Sequence, residues 1–244
     1  MPEPAAPMGR RLAIDFRTKL DDLPAVALIG PEAQTQVQTD AEGLRITLPA
    51  GRKDCWNVGV ELPVRLRGDF AIDVGFELLA IGDTIPDPAA GVQMRLTLAG
   101  SNTIFALARL RNRYAPQRAS RFQVVGHDGE TFAAYRIGIL PKGNEKHEGP
   151  NVRAVEPRGR LKLLRTGSQL HSLVSDGGSP YQRIQSEEVG TGDVDSLRLV
   201  GFSGWGPVAV DVRFTDLVIE AEQLPDGVPG RLSWSKAGDR KSVV

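Results

Sequence analysis

Apolar and polar residues alternate with a period of two along most of this chain, the pattern of strands that set one face against a core. Leu44, Ile46 and Leu48 alternate with Arg45 and Thr47, and Phe70, Ile72, Val74, Phe76 and Leu78 with Ala71, Asp73, Gly75 and Glu77. Val92, Met94, Leu96 and Leu98 do the same, and a turn around Gly100–Asn102 leads into Thr103 to Arg111, predicting a β-hairpin. Leu161 and Leu163, then Leu170 to Ser175, then Tyr181 to Gln185 are separated by turns at Thr166–Ser168 and Asp176–Gly178 and predict a three-strand meander. The last long strand sets Val208, Val210, Val212 and Phe214 inward and Asp211, Arg213 and Thr215 outward.

Further strands at Leu12 to Phe16, Thr35 to Thr39, Val58 to Leu62, Phe122 to Val125, Ala133 to Ile139 and Leu197 to Phe202 bring the total above ten. That exceeds one immunoglobulin-like unit and predicts an all-β, two-sheet antiparallel jelly-roll sandwich. Helix is limited to one turn at Asp193 to Ser196, and the polar, aperiodic stretch from Leu140 to Pro150 predicts an exposed loop. The domain expectation is a flexible N-terminal tail over 1–10, a single sandwich over 11–222 and an extended C-terminal tail over 223–244 anchored by Trp234.

Composition sharpens this picture. With 41% hydrophobic residues in 244, the chain has material for a sizeable core, and 27 glycines with 17 prolines suit many turns between short strands. The 30 basic and 30 acidic residues cancel, which argues against a global polyanion binder such as a nucleic-acid protein, and no apolar run is long enough for a membrane span. One cysteine, Cys55, excludes an intrachain disulfide and a cysteine-cluster metal site. The N-terminus lacks the basic start and apolar stretch of a secretory signal. The lone cysteine fits a reducing compartment, whereas a domain cut from a longer extracellular or cell-surface protein would show the same start, so the compartment is left open.

The stretch Gly159–Ser168, followed by Leu173–Gly178 and Tyr181, resembles the concanavalin A-like lectin/glucanase superfamily, as do the long strands Gly68–Val74 and Val210–Val218. The chain is also similar to an uncharacterised domain family of large planctomycete proteins. The superfamily resemblance runs from about Leu12 to Glu222 and implies the fold. It also implies that carbohydrate is the first ligand class to consider, since many members bind or hydrolyse polysaccharides and others are adhesion or spacer modules.

Catalytic chemistry finds little purchase. A retaining glycosidase needs two carboxyl groups roughly 5–5.5 Å apart. The Glu-x-Asp-x-x-Glu motif of the resembling glucanases is absent, and Asp73 and Glu77, which share a strand face, lie about 13 Å apart along it. No catalytic residue is assigned. His127, His147 and His171 show no metal-ligand spacing; Asp193 and Asp195 are read as turn residues before calcium ligands, and no metal or cofactor is predicted. No Gly-x-Ser-x-Gly elbow is present, and Cys55 beside Trp56 reads as a buried thiol.

Two features point to a ligand. Between Pro88 and His127 there is no acid, yet Arg95, Arg109, Arg111, Arg113, Arg118 and Arg121 fall there. Alternation puts Arg109, Arg111 and Arg113 in a row on one strand face, either as bidentate donors to carboxylate or sulfate groups or as cross-strand partners of acids such as Asp73, Glu77 or Asp211. Trp205, in a glycine-rich loop, and Tyr181 are aromatic candidates for stacking on a sugar, with burial over the core as the competing reading. The expected ligand residues are therefore Arg95, Arg109, Arg111, Arg113, Arg121, Tyr181 and Trp205. The expectation is a non-catalytic carbohydrate-binding or spacer module, acidic or sulfated glycans included. A glycan hydrolase with a loop-built site and a protein-interaction domain stand as alternatives.

Overall fold

The computed structural model describes residues 9–18, 20, 26–52, 57–82, 90–99, 103–113, 131–141, 152–203, 208–223 and 235–236; at 103, 112–113, 131–141 and 235–236 the description is of the backbone. The strands in chain order are β1 (Arg10–Asp15), β2 (Ala27–Ile29), β3 (Val37–Asp40), β4 (Gly43–Leu48), β5 (Val58–Leu62), β6 (Arg67–Ile81), β7 (Ala90–Leu98) and β8 (Thr103–Arg113). They continue with β9 (Thr131–Pro141), β10 (Val152–Arg153), β11 (Arg158–Thr166), β12 (Gln169–Asp176), β13 (Gln182–Glu188), β14 (Val194–Phe202), β15 (Val210–Gln223) and β16 (Ser235–Lys236). One short helix, α1 (Ala33–Gln36), precedes β3.

The strands pair antiparallel in two sheets, as the alternation predicts. The nine-stranded sheet runs β13-β12-β11-β6-β15-β1-β16, with β4 beside the first half of β15 and β3 beside β4; the seven-stranded sheet runs β10-β9-β8-β7-β14-β5-β2. Long β15 lies against β6 on one side and against β4 and then β1 on the other. Phe70, Ile72, Val74 and Phe76 of β6, Phe214, Leu217 and Ile219 of β15, and Val92, Met94, Leu96, Leu197 and Leu199 of the other sheet share one buried core. The sheets approach closely at Gly201, where a Cβ would meet Ile46 Cγ2 of β4 at 3.0 Å.

Three expectations change. The strand expected from Thr35 begins at Val37, because Glu32 takes a left-handed φ of 58° and its carbonyl accepts from Thr35 N and Gln36 N, winding one helical turn first. The helical turn expected at Asp193 to Ser196 is instead the start of β14, since Val194 pairs with Leu66 and the Asp193 carbonyl accepts from Ala99 N at 2.8 Å. Within the expected 140–150 loop, residues 140–141 still belong to β9; the rest of that loop, the Phe122–Val125 strand and Trp234 lie outside the described residues. In the C-terminal segment, Ser235 and Lys236 pair with Arg11 and Arg10. Among the described residues no helix is long and apolar enough to cross a membrane.

Candidate functional site

Strand parity decides which residues of the seven-stranded sheet face away from the core. With Val92, Met94, Leu96, Leu197 and Leu199 turned inward, Gln93 and Arg95 of β7 and Arg198, Val200 and Phe202 of β14 face out. Register sets Phe202 beside Gly91 and Leu110, Val200 beside Gln93 and Ala108, and Arg198 beside Arg95 and Ala106. Ala108 and Leu110 are buried beneath the half-buried Phe202 ring and form a small apolar cluster separate from the main core. This face is therefore a floor of small and apolar residues, with an aromatic ring on one row, a buried row of Val200, Gln93 and Ala108 next to it, and the Arg198–Arg95 row four residues, about 13 Å, along the strands.

Arg95 and Arg198 stand directly opposite each other, an arrangement that is unfavourable unless each guanidinium finds an acceptor. Arg198 Nε donates to Glu61 Oε2 of β5 at 2.8 Å. Arg95 Nε donates to Gln93 Oε1 at 2.8 Å, and in the amide orientation that satisfies both groups Asn57 Oδ1 accepts from its Nη1 and Nη2 at 2.6 and 2.7 Å. Glu61, Arg198 and Arg95 thus form one row of planar donors and acceptors, with buried Gln93 of the next row holding Arg95.

The arginine ladder has the shared face that alternation predicts, but that face is the inner one. Arg109 and Arg111 follow the parity of the core residues Phe105 and Leu107. Arg109 is 2% exposed and donates to the carbonyls of Leu110 and Glu156 at 3.0 and 2.8 Å. Arg111 Nη1 donates to the Ile81 carbonyl of β6 at 2.9 Å, reaching from one sheet to the other. Arg95 lies on the opposite face of the same sheet, and Tyr181 lies outward on the other sheet, so the described members of the expected set do not converge. The Arg113 side chain, Arg118, Arg121, Trp205, Cys55, Trp56, His127 and His147 lie outside the described residues.

The outer face of the nine-stranded sheet is laced with ion pairs. Asp73, Glu77 and Asp211 do pair with arginines across strands, but with Arg160, Arg213 and Arg45 rather than with the ladder. Arg213, 8% exposed on its side chain, also contacts Asp40 at 2.9 Å and Glu42 at 2.6 Å. Arg160 Nε donates to Asp73 Oδ1 at 2.8 Å and to Tyr181 Oη at 3.2 Å, while its Nη1 and Nη2 donate to Asp216 at 3.1 and 2.7 Å. Tyr181 Oη in turn donates to Asp73 Oδ2 at 2.5 Å. Burial, and then this bond to a carboxylate, push the phenol well above its ordinary value. For Asp216 burial works in the opposite direction to its hydrogen bonds, yet those from Arg160 and Thr215 prevail and hold the carboxyl below the usual range.

Asp216 reaches Arg160 through an irregularity that sequence periodicity does not announce. Phe214 pairs with Phe76 and Leu217 with Val74, so Thr215 and Asp216 together oppose the single residue Gly75. A Cβ on Gly75 would fall 2.3 Å from Thr215 Oγ1 and 2.5 Å from Asp216 Oδ1.

Asp193, one of the two carboxylates weighed as calcium ligands, lies 3.0 Å from Arg67 Nε. Among the described residues no three His, Cys, Asp or Glu side chains group closely enough to hold a metal ion. Sequence reasoning passed over Arg165, which is 1% exposed. Its Nη1 donates to the Gly192 carbonyl at 2.5 Å, its Nε to the Gly68 carbonyl at 2.9 Å, and its guanidinium carbon lies 4.7 Å from the Phe70 ring centroid. The parity of Leu161 and Leu163 places Arg165 inward, a signal readable before the structure.

Comparison with solved structures places this architecture among lectin-type and glycosidase-associated sandwiches. GH43 BlXynB from Bacillus licheniformis superposes with a TM-score of 0.56 at 12% identity over 86% of this chain, which spans only 39% of that protein's length. The Ca2+-bound exoplasmic/lumenal domain of VIP36 superposes with a TM-score of 0.53 at 11% identity over 89% of this chain and 91% of that one. The same VIP36 domain bound to Ca2+ and Man3GlcNAc gives a TM-score of 0.51 at 12% identity over 86% and 89%. At these identities the likeness establishes the concanavalin A-like jelly-roll fold. No curated protein matches the sequence. A family model matches residues 4–229, and the chain belongs to that family, described as Protein of unknown function (DUF1583) C domain.

Proposed function

We propose that the domain is a non-catalytic module that binds carbohydrate across the outer face of the seven-stranded sheet, through Phe202, Arg95 and the Arg198–Glu61 pair, with buried Gln93 holding Arg95 in place. The observation that carries this reading is the half-buried Phe202 ring, seated on Ala108 and Leu110, on the same sheet face as a row of fixed planar hydrogen-bonding groups about 13 Å along the strands. A glycan offers an apolar C–H face of one sugar to an aromatic ring and the hydroxyls of another to bidentate donors and acceptors, so a chain of two or three sugars meets both halves of the face. The adjacent guanidinium groups of Arg95 and Arg198 favour glycans that carry carboxylate or sulfate. The VIP36 domain solved with Man3GlcNAc is in keeping with a glycan ligand on this fold.

A hydrolase would need a carboxyl group with a raised pKa as its acid. Asp216, one of the two carboxylates drawn together by Arg160, is held low instead, which weighs for binding without cleavage.

A glycan array that includes uronic and sulfated polymers, read with wild type and with Phe202→Ala and Arg95→Ala, tests the proposal. Each variant should weaken binding about tenfold, the equivalent of about 1.4 kcal/mol, while retaining the wild-type unfolding midpoint. Equal binding by all three proteins, or release of new reducing ends from a bound glycan, would overturn it.

A further inference from the structure

Among the described residues, β1 is paired along its whole length on one side only. From Arg10 to Asp15 it lies against β15, whereas on its other side β16 meets it at two residues, with Lys236 opposite Arg10 and Ser235 opposite Arg11. No described strand accompanies Leu12–Asp15 on that side; β3, the next strand over, lies beside β4. A sheet edge of this kind is a template for a further strand. The side chains that β1 turns inward are nevertheless covered: Leu12 and Ile14 are buried, while Ala13 between them is exposed.

β16 runs antiparallel to β1, so its register carried back along the sequence would set Trp234 opposite Leu12, Ser233 opposite Ala13 and Leu232 opposite Ile14. Residues directly opposite share a sheet face. Trp234 and Leu232 would then fall on the core side with Leu12 and Ile14, and Ser233 and Ser235 on the outer side with Ala13 and Arg11. A slip of one residue would reverse this and turn the indole to solvent, so the register seen at Ser235 and Lys236 is the one the apolar pattern selects. The chain is also long enough. In this register Leu232 stands two strands from Leu217, about 10 Å, and six residues back from Gln223, about 20 Å, which makes about 22 Å in all. Nine steps of extended chain from Gln223 reach about 30 Å.

We propose that the outer edge of β1 from Leu12 to Ile14 is a strand-accepting site, and that its occupant is Leu232–Trp234 of the same chain, continuing β16. Backbone hydrogen bonds along the edge supply the affinity, and the alternate apolar side chains Leu232 and Trp234 fix the register. The indole adds its apolar area to the core beside Leu12, so the C-terminal segment is held by side-chain packing as well as by the two residues of β16. The added strand also blunts an edge that would otherwise pair with other chains. Because β1 belongs to the nine-stranded sheet, this docking stands or falls separately from the carbohydrate-binding face around Phe202.

The test places cysteine pairs in the full chain, in a Cys55→Ser background. Ala13→Cys with Ser233→Cys sets two thiols directly opposite in this register, within the Cα separation a disulfide accepts. Ala13→Cys with Ser242→Cys is the comparison pair. In a glutathione buffer the first pair should close an intrachain disulfide about tenfold more readily than the second. Hydrogen exchange at those amides of Leu12–Ile14 that point away from β15 should speed up about tenfold in Trp234→Ala and keep the wild-type rate in Ser242→Ala. A disulfide no more favoured than in the comparison pair, together with unchanged exchange in Trp234→Ala, would overturn the site. A disulfide that links two chains would assign the edge to a second copy and overturn the occupant proposed.

Discussion

Arg109 Nη2 donates to the carbonyl oxygen of Glu156 at 2.8 Å, joining the middle of β8 to the segment that carries the chain from β10 in one sheet to β11 in the other. Asp176 grips the same segment from the far side, accepting from Val155 N at 2.8 Å and Glu156 N at 3.2 Å. A cation in the most basic stretch of the sequence thus acts as a brace between layers. Arg109→Ala is expected to cost about 2–4 kcal/mol in urea unfolding, because the buried carbonyl of Leu110 and the part-buried carbonyl of Glu156 lose their donor. Glycan affinity of the remaining folded protein should not change; a loss of affinity at unaltered stability would return Arg109 to the ligand surface.

The depressed Asp216 carboxyl makes an acid-side prediction. Its folded pKa lies below the unfolded one, so its contribution to stability is complete above the unfolded value of about 3.9 and is lost as pH falls through the folded value. Asp40 adds to the same limb: burial opposes ionisation, but the amides of Glu42 and Gly43 and the Arg213 guanidinium outweigh it. Wild type should lose stability steeply below about pH 4. Asp216→Asn should be less stable at pH 7 and show a shallower slope between pH 4 and 2. Urea unfolding at half-unit pH steps checks this, and identical slopes would remove Asp216 from the account.

Gly75→Ala should disturb the same cluster from below. The new methyl lands against Thr215 and Asp216, neither of which can withdraw without loosening the bond to Arg160. A loss of about 1–3 kcal/mol is expected, together with a weaker pH dependence than wild type. Thermal unfolding at pH 7 and pH 3 separates the two effects.

Phe76 is 2% exposed, and its register partner Phe214 is fully buried. Phe76→Ala should cost about 3–5 kcal/mol, whereas Phe202→Ala, at the outer face, should cost much less. Denaturant midpoints of the two variants check the assignment of inner and outer faces.

Much of this was legible in the sequence because burial on one face imposes strict alternation. The strand Val58–Leu62 and the hairpin of β7 and β8 follow from parity and turn residues alone. What alternation cannot tell is which face of a strand turns inward when both carry small or apolar residues. In β8, Ile104, Ala106, Ala108 and Leu110 alternate with Phe105, Leu107, Arg109 and Arg111, and only the partner strands show that the arginine-bearing set points to the core. The Phe202 face stayed hidden for a related reason: its floor is assembled from β8 and its polar row from β5, β7 and β14, which register brings together over distances periodicity does not encode. The meeting of Asp73 and Asp216 at Arg160 depends on an extra residue in β15 opposite Gly75, and a single-sequence pattern has no mark for it.

The central place of β15 carries a consequence for biosynthesis. Among the described residues it is the last long strand, and it supplies one neighbour to β6 and another to both β4 and β1. While the polypeptide is emerging from the ribosome, the segments that become β1, β4 and β6 wait with their apolar faces exposed and an edge unpaired until residues 210–223 arrive. Contacts of such long sequence separation form slowly, and unpaired strand edges invite association with other chains. Nascent chains arrested before residue 210 should therefore remain protease-sensitive and bound by chaperones, and the order of synthesis makes this sandwich a fold completed from its middle, last.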